Sequence, residues 1–260
     1  MADRNKIIDD YYNNYDEDRR LVKDQTHMVE FEVTTKYIEK YLKENHKILE
    51  VGAGTGRYSL YYANRGYDVT AIEFVQHNLD VLKSKITADM KIVAQQGDAV
   101  DLSRFEDNAF DMTLVLGPLY HLYEDADIRS AIAEAVRVTK KGGVVMIAYI
   151  PNDGVFSNWG VSHLLDGYPK DFDENFRLRR YPEGVFATFY IEEFKQIMKE
   201  FDVEYLHNVA TDGLVNIMSE KINNLSKKEF DVWVKYQLSI CERADLQGFS
   251  GHALYICRKN

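Results

Sequence analysis

Gly52, Gly54 and Gly56 stand at alternate positions directly after the apolar run Lys47-Ile48-Leu49-Glu50-Val51. Glycine lets a backbone pass close to a ligand with no Cβ in the way. Glu73 ends the next apolar run, and Asp98 follows the one after it, in Gln96-Gly97-Asp98-Ala99. A carboxylate at the end of a second strand accepts hydrogen bonds from both hydroxyls of a ribose and repels a 2′-phosphate. One at the end of a third strand accepts from the exocyclic amine of a base. The chemistry is the binding of a nucleoside at the carboxyl edge of a sheet. A dinucleotide fingerprint has its third glycine one place later, where this chain has Arg57. The ligand therefore need not carry a pyrophosphate.

These residues need strands that end together. The apolar runs predict strands at Lys47–Val51, Asp68–Phe74, Lys91–Gln95, Phe110–Leu116 and Val144–Ile150. Helices are predicted at Tyr58–Arg65, stopped by Gly66, at Asn78–Lys85, and at Ala126–Thr139, closed by a Lys140-Lys141-Gly142-Gly143 turn. Residues 6–43 read as helical, with an apolar stripe of Phe31, Thr35, Ile38 and Leu42 and a stop at Asn45. Strand alternating with helix predicts a parallel sheet covered on both faces. From Pro151 to Thr188 the rhythm breaks. A helix at Ile191–Phe201, a strand at Val203–Val209, a second insertion at Asp212–Gln247 and a last strand at His252–Arg258 follow. Insertions of this length in a compact domain are usually lids or binding loops.

The chain has 260 residues, 45% of them apolar, and a net charge of −10. That charge disfavours a polyanionic partner such as nucleic acid. Cys241 and Cys257 form no CxxC pair, and no disulfide framework or zinc site is readable. His163, His207 and His252 are scattered, and no metal is assigned to them. The start Met1-Ala2-Asp3-Arg4-Asn5-Lys6 lacks an apolar signal core, and Val144–Ile150 is far short of the roughly 20 residues of a membrane helix. A soluble cytoplasmic protein with no membrane partner is expected.

Taken together, Glu50-Val51-Gly52-Ala53-Gly54-Thr55-Gly56, Ile72-Glu73, Gly97-Asp98-Ala99, Leu116-Gly117-Pro118-Leu119-Tyr120-His121-Leu122 and the Val138-to-Gly143 turn resemble the class I S-adenosylmethionine-dependent methyltransferases. The resemblance covers Lys47 to Ile150; the flanks resemble a bacterial small-molecule or uncharacterised branch more weakly. It implies an α/β, Rossmann-like, doubly wound, seven-stranded, mostly parallel sheet with an antiparallel last strand. It also implies one domain over residues 1–260 with helical or irregular cap elements at 1–30, 151–190 and 211–248.

The implied cofactor is S-adenosyl-L-methionine. By resemblance, Gly52, Ala53, Gly54 and Gly56 wrap its ribose and amino-acid part, and Glu50 faces the methionine amine or orients that loop. Glu73 holds the ribose, Phe74 covers one adenine face, and Asp98 with Ala99 holds the adenine edge. The Leu116 carbonyl accepts from the cofactor's ammonium. Tyr120 and His121 follow the fourth strand, where the methyl group emerges; either would orient the acceptor, and His121 would take a proton if one must leave. The segment around Tyr11, Tyr12 and Tyr15 resembles a helix that closes over the cofactor, with Tyr11 or Tyr15 on the methionine end or the acceptor and Arg20 on the cofactor carboxylate.

A small-molecule acceptor would be chosen by the insertions. Phe156, Trp159, Tyr168, Phe172, Phe176, Tyr181, Phe186, Phe189 and Tyr190 crowd the first, most as glue and a few as pocket. Arg177, Arg179 and Arg180 would meet an anionic acceptor or form a solvated face offset by Asp171, Asp173 and Glu174. Trp233 and Tyr236 are expected in the core of a cap helix. Three rivals stand beside this reading. Arg57 argues against an NAD-type oxidoreductase. The segment Leu116-Gly117-Pro118-Leu119-Tyr120 lacks the Asn/Asp-Pro-Pro-aromatic pattern of amino-directed DNA methyltransferases. A cofactor-binding protein without turnover stays open, as do the oligomeric state and the atom methylated.

Overall fold

The computed structural model describes residues 4–164, 170–180 and 185–260. Seven strands form one sheet: β1 Lys47–Val51, β2 Asp68–Glu73, β3 Ile92–Gln96, β4 Phe110–Val115, β5 Thr139–Tyr149, β6 Val203–Ala210 and β7 Ala253–Lys259. Their order is β3-β2-β1-β4-β5-β7-β6. β1 to β5 pair in parallel, and β7 lies antiparallel between β5 and β6. This is the doubly wound sheet the sequence predicts, with its antiparallel last strand. The strand order reverses between β1 and β4, and the carboxyl ends there open a crevice.

The helices are α1 Arg4–Asn13, α2 Gln25–Tyr41, α3 Arg57–Ala63, α4 Gln76–Ser84, α5 Asp125–Val138, α6 Asn152–Asn158, α7 Ile191–Met198, α8 Ser219–Asn223 and α9 Lys227–Ile240. Side chains alternate along each strand and sort the core into two layers. Ile48, Met112, Leu114, Met146, Leu254 and Ile256 pack with residues of α2, α3 and α9. Leu49, Val51, Val115, Val145, Ile147 and Tyr255 pack on the opposite face with α5 and α7. The parity of β1 therefore turns Glu50 toward the α3 side, directly beneath the glycine turn.

Several elements differ from the sequence reading. Residues 6–43 are not one helix. A 3-10 segment, Glu17–Val22, separates α1 from α2, and the Asp24 side chain starts α2 by accepting from the His27 backbone N–H. The stripe that α2 buries runs through Val29, Val33 and Ile38, with Phe31 and Leu42 at its margin. α5 passes straight into β5 at Thr139, without the expected Lys140–Gly143 turn. Thr139 pairs with Phe110, and the ladder is irregular between Phe110 and Met112, which absorbs the extra residues into a bulged strand. A Cβ on Gly143 would come within 2.8 Å of the Asp111 and Lys140 carbonyl oxygens, so that bulge needs glycine. Asn45 and Gly66 do take the left-handed conformation expected of stops.

α6 opens the first insertion and α8 and α9 lie in the second. Tyr236 is 47% exposed rather than core, and Trp233 is only partly buried. Cys241 and Cys257 are free thiols in the interior. Among the described residues no helix is long and apolar enough to cross a membrane.

Candidate active site

The glycine turn is held by β2. The Gly52 and Ala53 N–H groups donate to the Ile72 carbonyl at 2.8 and 3.0 Å. The Gly54 N–H donates to Glu73 Oε2 at 2.7 Å, and the Val75 N–H to Glu73 Oε1 at 2.9 Å. Burial pushes the Glu73 carboxyl above its usual range, opposed by these two N–H groups and Asn78. With three donors on its two oxygens, the carboxylate keeps lone-pair capacity for one ligand hydroxyl. Gly52 has a φ of +75°, and a Cβ there would lie 2.6 Å from the Pro118 ring.

A cavity of about 650 Å3 opens over this turn. Its first half is lined by Gly52, Gly54, Glu73, Phe74, Asp98, Ala99 and Leu116. The glycine backing, one apolar ring and two strand-end carboxylates complement the ribose, ring face and amine of an adenosine. Arg57 does not offer a cation for phosphate; its guanidinium reaches away to the Asp18 carbonyl at 3.5 Å. The residues present therefore fit S-adenosylmethionine better than a dinucleotide.

α1 covers this half. Arg4 forms an ion pair with Asp98, and its guanidinium sits 5.5 Å from the centre of the Phe74 ring. Arg4, unremarked in the sequence, thus holds both groups expected to take the adenine. Tyr11 and Tyr15 stack with ring centres 5.4 Å apart and line the cavity as well.

Four expected cofactor residues stand differently. A Cβ on Gly56, at φ +91°, would come within 2.2 Å of Leu82 Cδ1, so this glycine lets α3 pack on α4 and stays off the cavity wall. Ala53 is buried behind the turn. Glu50 accepts from the Ser59 hydroxyl and faces a small adjoining cavity of about 30 Å3 with Glu17 and Arg20. Burial pushes its carboxyl up to about 8. Arg20 lines the main cavity, but its guanidinium is already paired. Nε donates to Glu17 at 3.1 Å, and Nη1 and Nη2 donate to Glu30 at 2.8 and 3.3 Å.

The second half of the cavity holds Tyr120 and His121, at the end of β4 as expected. Their circumstances diverge. His121 Nδ1 lies 3.1 Å from the Val185 carbonyl, which only accepts, so Nδ1 carries the proton. Nε2 then accepts from the Tyr12 hydroxyl at 2.9 Å. Burial pulls His121 down to about 4. A neutral imidazole with both nitrogens engaged ties α1 to the β4 loop and is a poor proton acceptor. Tyr120 is buried, and burial, with Glu30 adding, raises its phenol well above the ordinary value.

The sequence reading missed a third group beside Tyr120. His252 Nδ1 lies 2.9 Å from Asp212 Oδ2 and 3.4 Å from Glu30 Oε2. The Tyr120 and His252 rings are 5.9 Å apart. Only the set Glu30, Asp212 and His252 brings its ligand atoms within 4.8 Å of one another among the described residues. Arg20 donates to both Glu30 oxygens, however, so that carboxylate is already engaged.

Trp159 and Phe186 line the cavity. Phe172 and Phe176 both pack on Phe156, and Phe189 packs on Tyr149 and Phe194, which is the expected glue. Tyr190 heads α7, and its ring takes the Arg177 guanidinium at 5.3 Å. Tyr168 and Tyr181 lie outside the described residues, as does the His163 side chain. Arg177 pairs with Glu193 and Arg180 with Asp125; Arg179 lines the cavity with Asp171.

Residues 49–147 match the family described as a methyltransferase domain. A demethylmenaquinone methyltransferase of Renibacterium salmoninarum is 36% identical over 125 residues, 47% of this chain and 50% of that protein. This chain thus spans about half the length of that curated relative. A putative methyltransferase of Bacillus subtilis is 26% identical over 68% of this chain and 81% of its own. Among solved structures, an S-adenosylmethionine-dependent methyltransferase of Methanosarcina mazei superposes with a TM-score of 0.58 at 21% identity, over 86% of this chain and 96% of that one. A Pyrococcus horikoshii protein superposes with a TM-score of 0.63 at 15% identity, over 96% and 99%. The glycine turn tied to Glu73 and the sheet order lie within and around the methyltransferase domain matched over residues 49–147, and the chain has the fold of solved S-adenosylmethionine-dependent methyltransferases.

Proposed function

We propose that this chain transfers the methyl group of S-adenosylmethionine to a small-molecule acceptor. The observation that carries this reading is the continuity of the cavity. One space of about 650 Å3 joins the glycine turn, Glu73, Phe74 and Asp98 to an aromatic chamber around Tyr120. A space of that size suits a cofactor and a small partner.

The bound cofactor supplies an electrophilic methyl group; the chain positions and desolvates. In this reading Glu73 holds the ribose, the Gly52 and Gly54 backbone admits it closely, and Asp98 exchanges Arg4 for the adenine amine. The Leu116 carbonyl meets the cofactor's ammonium. Glu50 supports the turn through Ser59, and Arg20 shapes the methionine end with its two glutamates. Tyr11, Tyr15 and Tyr120 border the reacting centre. Cap segments 1–30, 151–190 and 211–248 supply the acceptor half, and a net charge of −10 favours a small molecule over a nucleic acid. The expected setting is the cytoplasm.

The test is transfer of radiolabelled methyl from S-adenosylmethionine to a panel of small aromatic metabolites. Labelled product that disappears in Tyr120→Ala supports the reading. Intact cofactor binding with no transfer to any acceptor would favour a binding protein without turnover.

A further inference from the structure

We propose that His252, oriented by Asp212, is the proton acceptor of the reaction, and that the acceptor is an aromatic compound whose hydroxyl faces it. This inference rests on the methyltransferase reading above.

The geometry of the pair assigns the direction. Asp212 Oδ2 lies 2.9 Å from His252 Nδ1, while Oδ1 accepts the His252 backbone N–H at 3.1 Å and the Ser250 hydroxyl. A carboxylate fixed from three sides places the imidazole proton on Nδ1. Nε2 then carries the lone pair, and among the described residues it has no hydrogen-bond partner. His252 lines the cavity next to Tyr120, at the end of β4 where the reacting centre is placed. His121, the other histidine beside Tyr120, has both nitrogens engaged.

The surroundings suit an imidazolium. Glu30 reaches His252 from α2, Asp212 from the end of β6, and Arg20 with Glu17 from the 3-10 segment; Tyr120 closes the side of β4. Burial alone lowers the His252 pKa, but Glu30 and Asp212 outweigh it, with Arg20 opposing, and hold it above its ordinary value. Three carboxylates against one guanidinium disfavour an acceptor that carries its own negative charge. The same cavity carries aromatic rings: Tyr11 stacks on Tyr15, and Phe186 meets Tyr11 edge-on with ring centres 5.4 Å apart. A flat, neutral ring with a hydroxyl suits both these rings and the imidazole.

In the step, the acceptor O–H bond breaks and its proton passes to Nε2. The oxygen keeps the electron pair and bonds to the methyl carbon, and the carbon–sulfur pair leaves with sulfur. His252 returns the proton to water before the next turnover. Balance needs no other reactant.

The test uses para-nitrophenol, whose ionised form absorbs visible light, bound to the full chain with saturating S-adenosylhomocysteine. The expected result is a phenolate-to-phenol ratio about tenfold higher in the bound than in the free compound near pH 6, equivalent to about 1.4 kcal/mol in favour of the ionised form. His252→Gln should abolish this excess, and Asp212→Asn should reduce it, with S-adenosylhomocysteine affinity kept in both. A bound phenol that ionises as in free solution, or an excess that survives His252→Gln, in protein that binds S-adenosylhomocysteine, overturns the inference. Failure of the unaltered protein to bind S-adenosylhomocysteine overturns the methyltransferase reading beneath it.

Discussion

The Tyr12 hydroxyl donates to His121 Nε2 across 2.9 Å, joining α1 to the loop after β4. This bond closes the cavity with a side chain from the N-terminal helix, and its direction is fixed by the Val185 carbonyl on the other nitrogen. Burial raises the Tyr12 phenol well above its ordinary value, so it stays a donor throughout the working pH range.

Tyr12→Phe keeps the ring and removes the donor, leaving Nε2 unpaired. The expected cost is about 1–3 kcal/mol at that contact. Hydrogen exchange should show faster opening of α1, with β1 and β4 unchanged, and S-adenosylhomocysteine should dissociate faster. Unchanged protection in α1 would mean that the bond does not hold the helix down.

The half of the cavity that carries the glycine turn is legible in the sequence because its residues sit at the ends of consecutive strands. A run that stops at Gly52, another at Glu73 and a turn at Asp98 each declare themselves locally, and the parallel pairing of β1, β2, β3 and β4 brings them together. His252 and Asp212 are not legible in that way. They meet only because β7 folds back antiparallel on β6, and Glu30 joins them from α2, far away in sequence. The scatter of these residues along the chain hides a cluster that tertiary pairing makes. Arg20 misleads for a related reason. Its partner Glu30 lies beyond a helix boundary, so a cation satisfied on two sides reads as one seeking a ligand. At Thr139 early pairing with Phe110 overrides the local turn signal of Gly142 and Gly143.

The glycines of the turn divide by task, and substitutions should separate them. Gly56→Ala drives a methyl into Leu82 at positive φ, and a loss of about 2–4 kcal/mol of stability is expected. Gly54→Ala, also at positive φ (+55°), meets no packed side chain but only the Glu17 side chain, at 3.4 Å, on the cavity side. It should lose less stability and more S-adenosylhomocysteine affinity. Denaturant unfolding and calorimetric binding on both variants check this; an equal loss of affinity from both would refute the division.

Glu50 gives a pH prediction. Its folded pKa, pushed by burial up to about 8 from 4.5, is above the unfolded value, so the unfolded state releases its proton first. Stability is therefore lost as pH rises from about 4.5 toward about 8. Glu50→Gln keeps an acceptor for the Ser59 hydroxyl and removes the titration. It should stabilise the protein at pH 7 by roughly 1–3 kcal/mol and leave it unchanged near pH 4. Urea unfolding across that range decides it; a variant less stable than the parent at pH 7 would show that the charged form is the one the fold needs.

The central claim is that the glycine turn and Glu73 bind the cofactor of a methyltransferase. Calorimetric titration of the protein with S-adenosylhomocysteine, beside NAD and beside a Glu73→Gln variant, tests it most directly. The account predicts binding of S-adenosylhomocysteine, none of NAD, and affinity about tenfold weaker or worse in the variant, the loss expected for a charged hydrogen-bond acceptor. Folded protein that ignores S-adenosylhomocysteine, or a Glu73→Gln variant that binds it undiminished, would contradict the account.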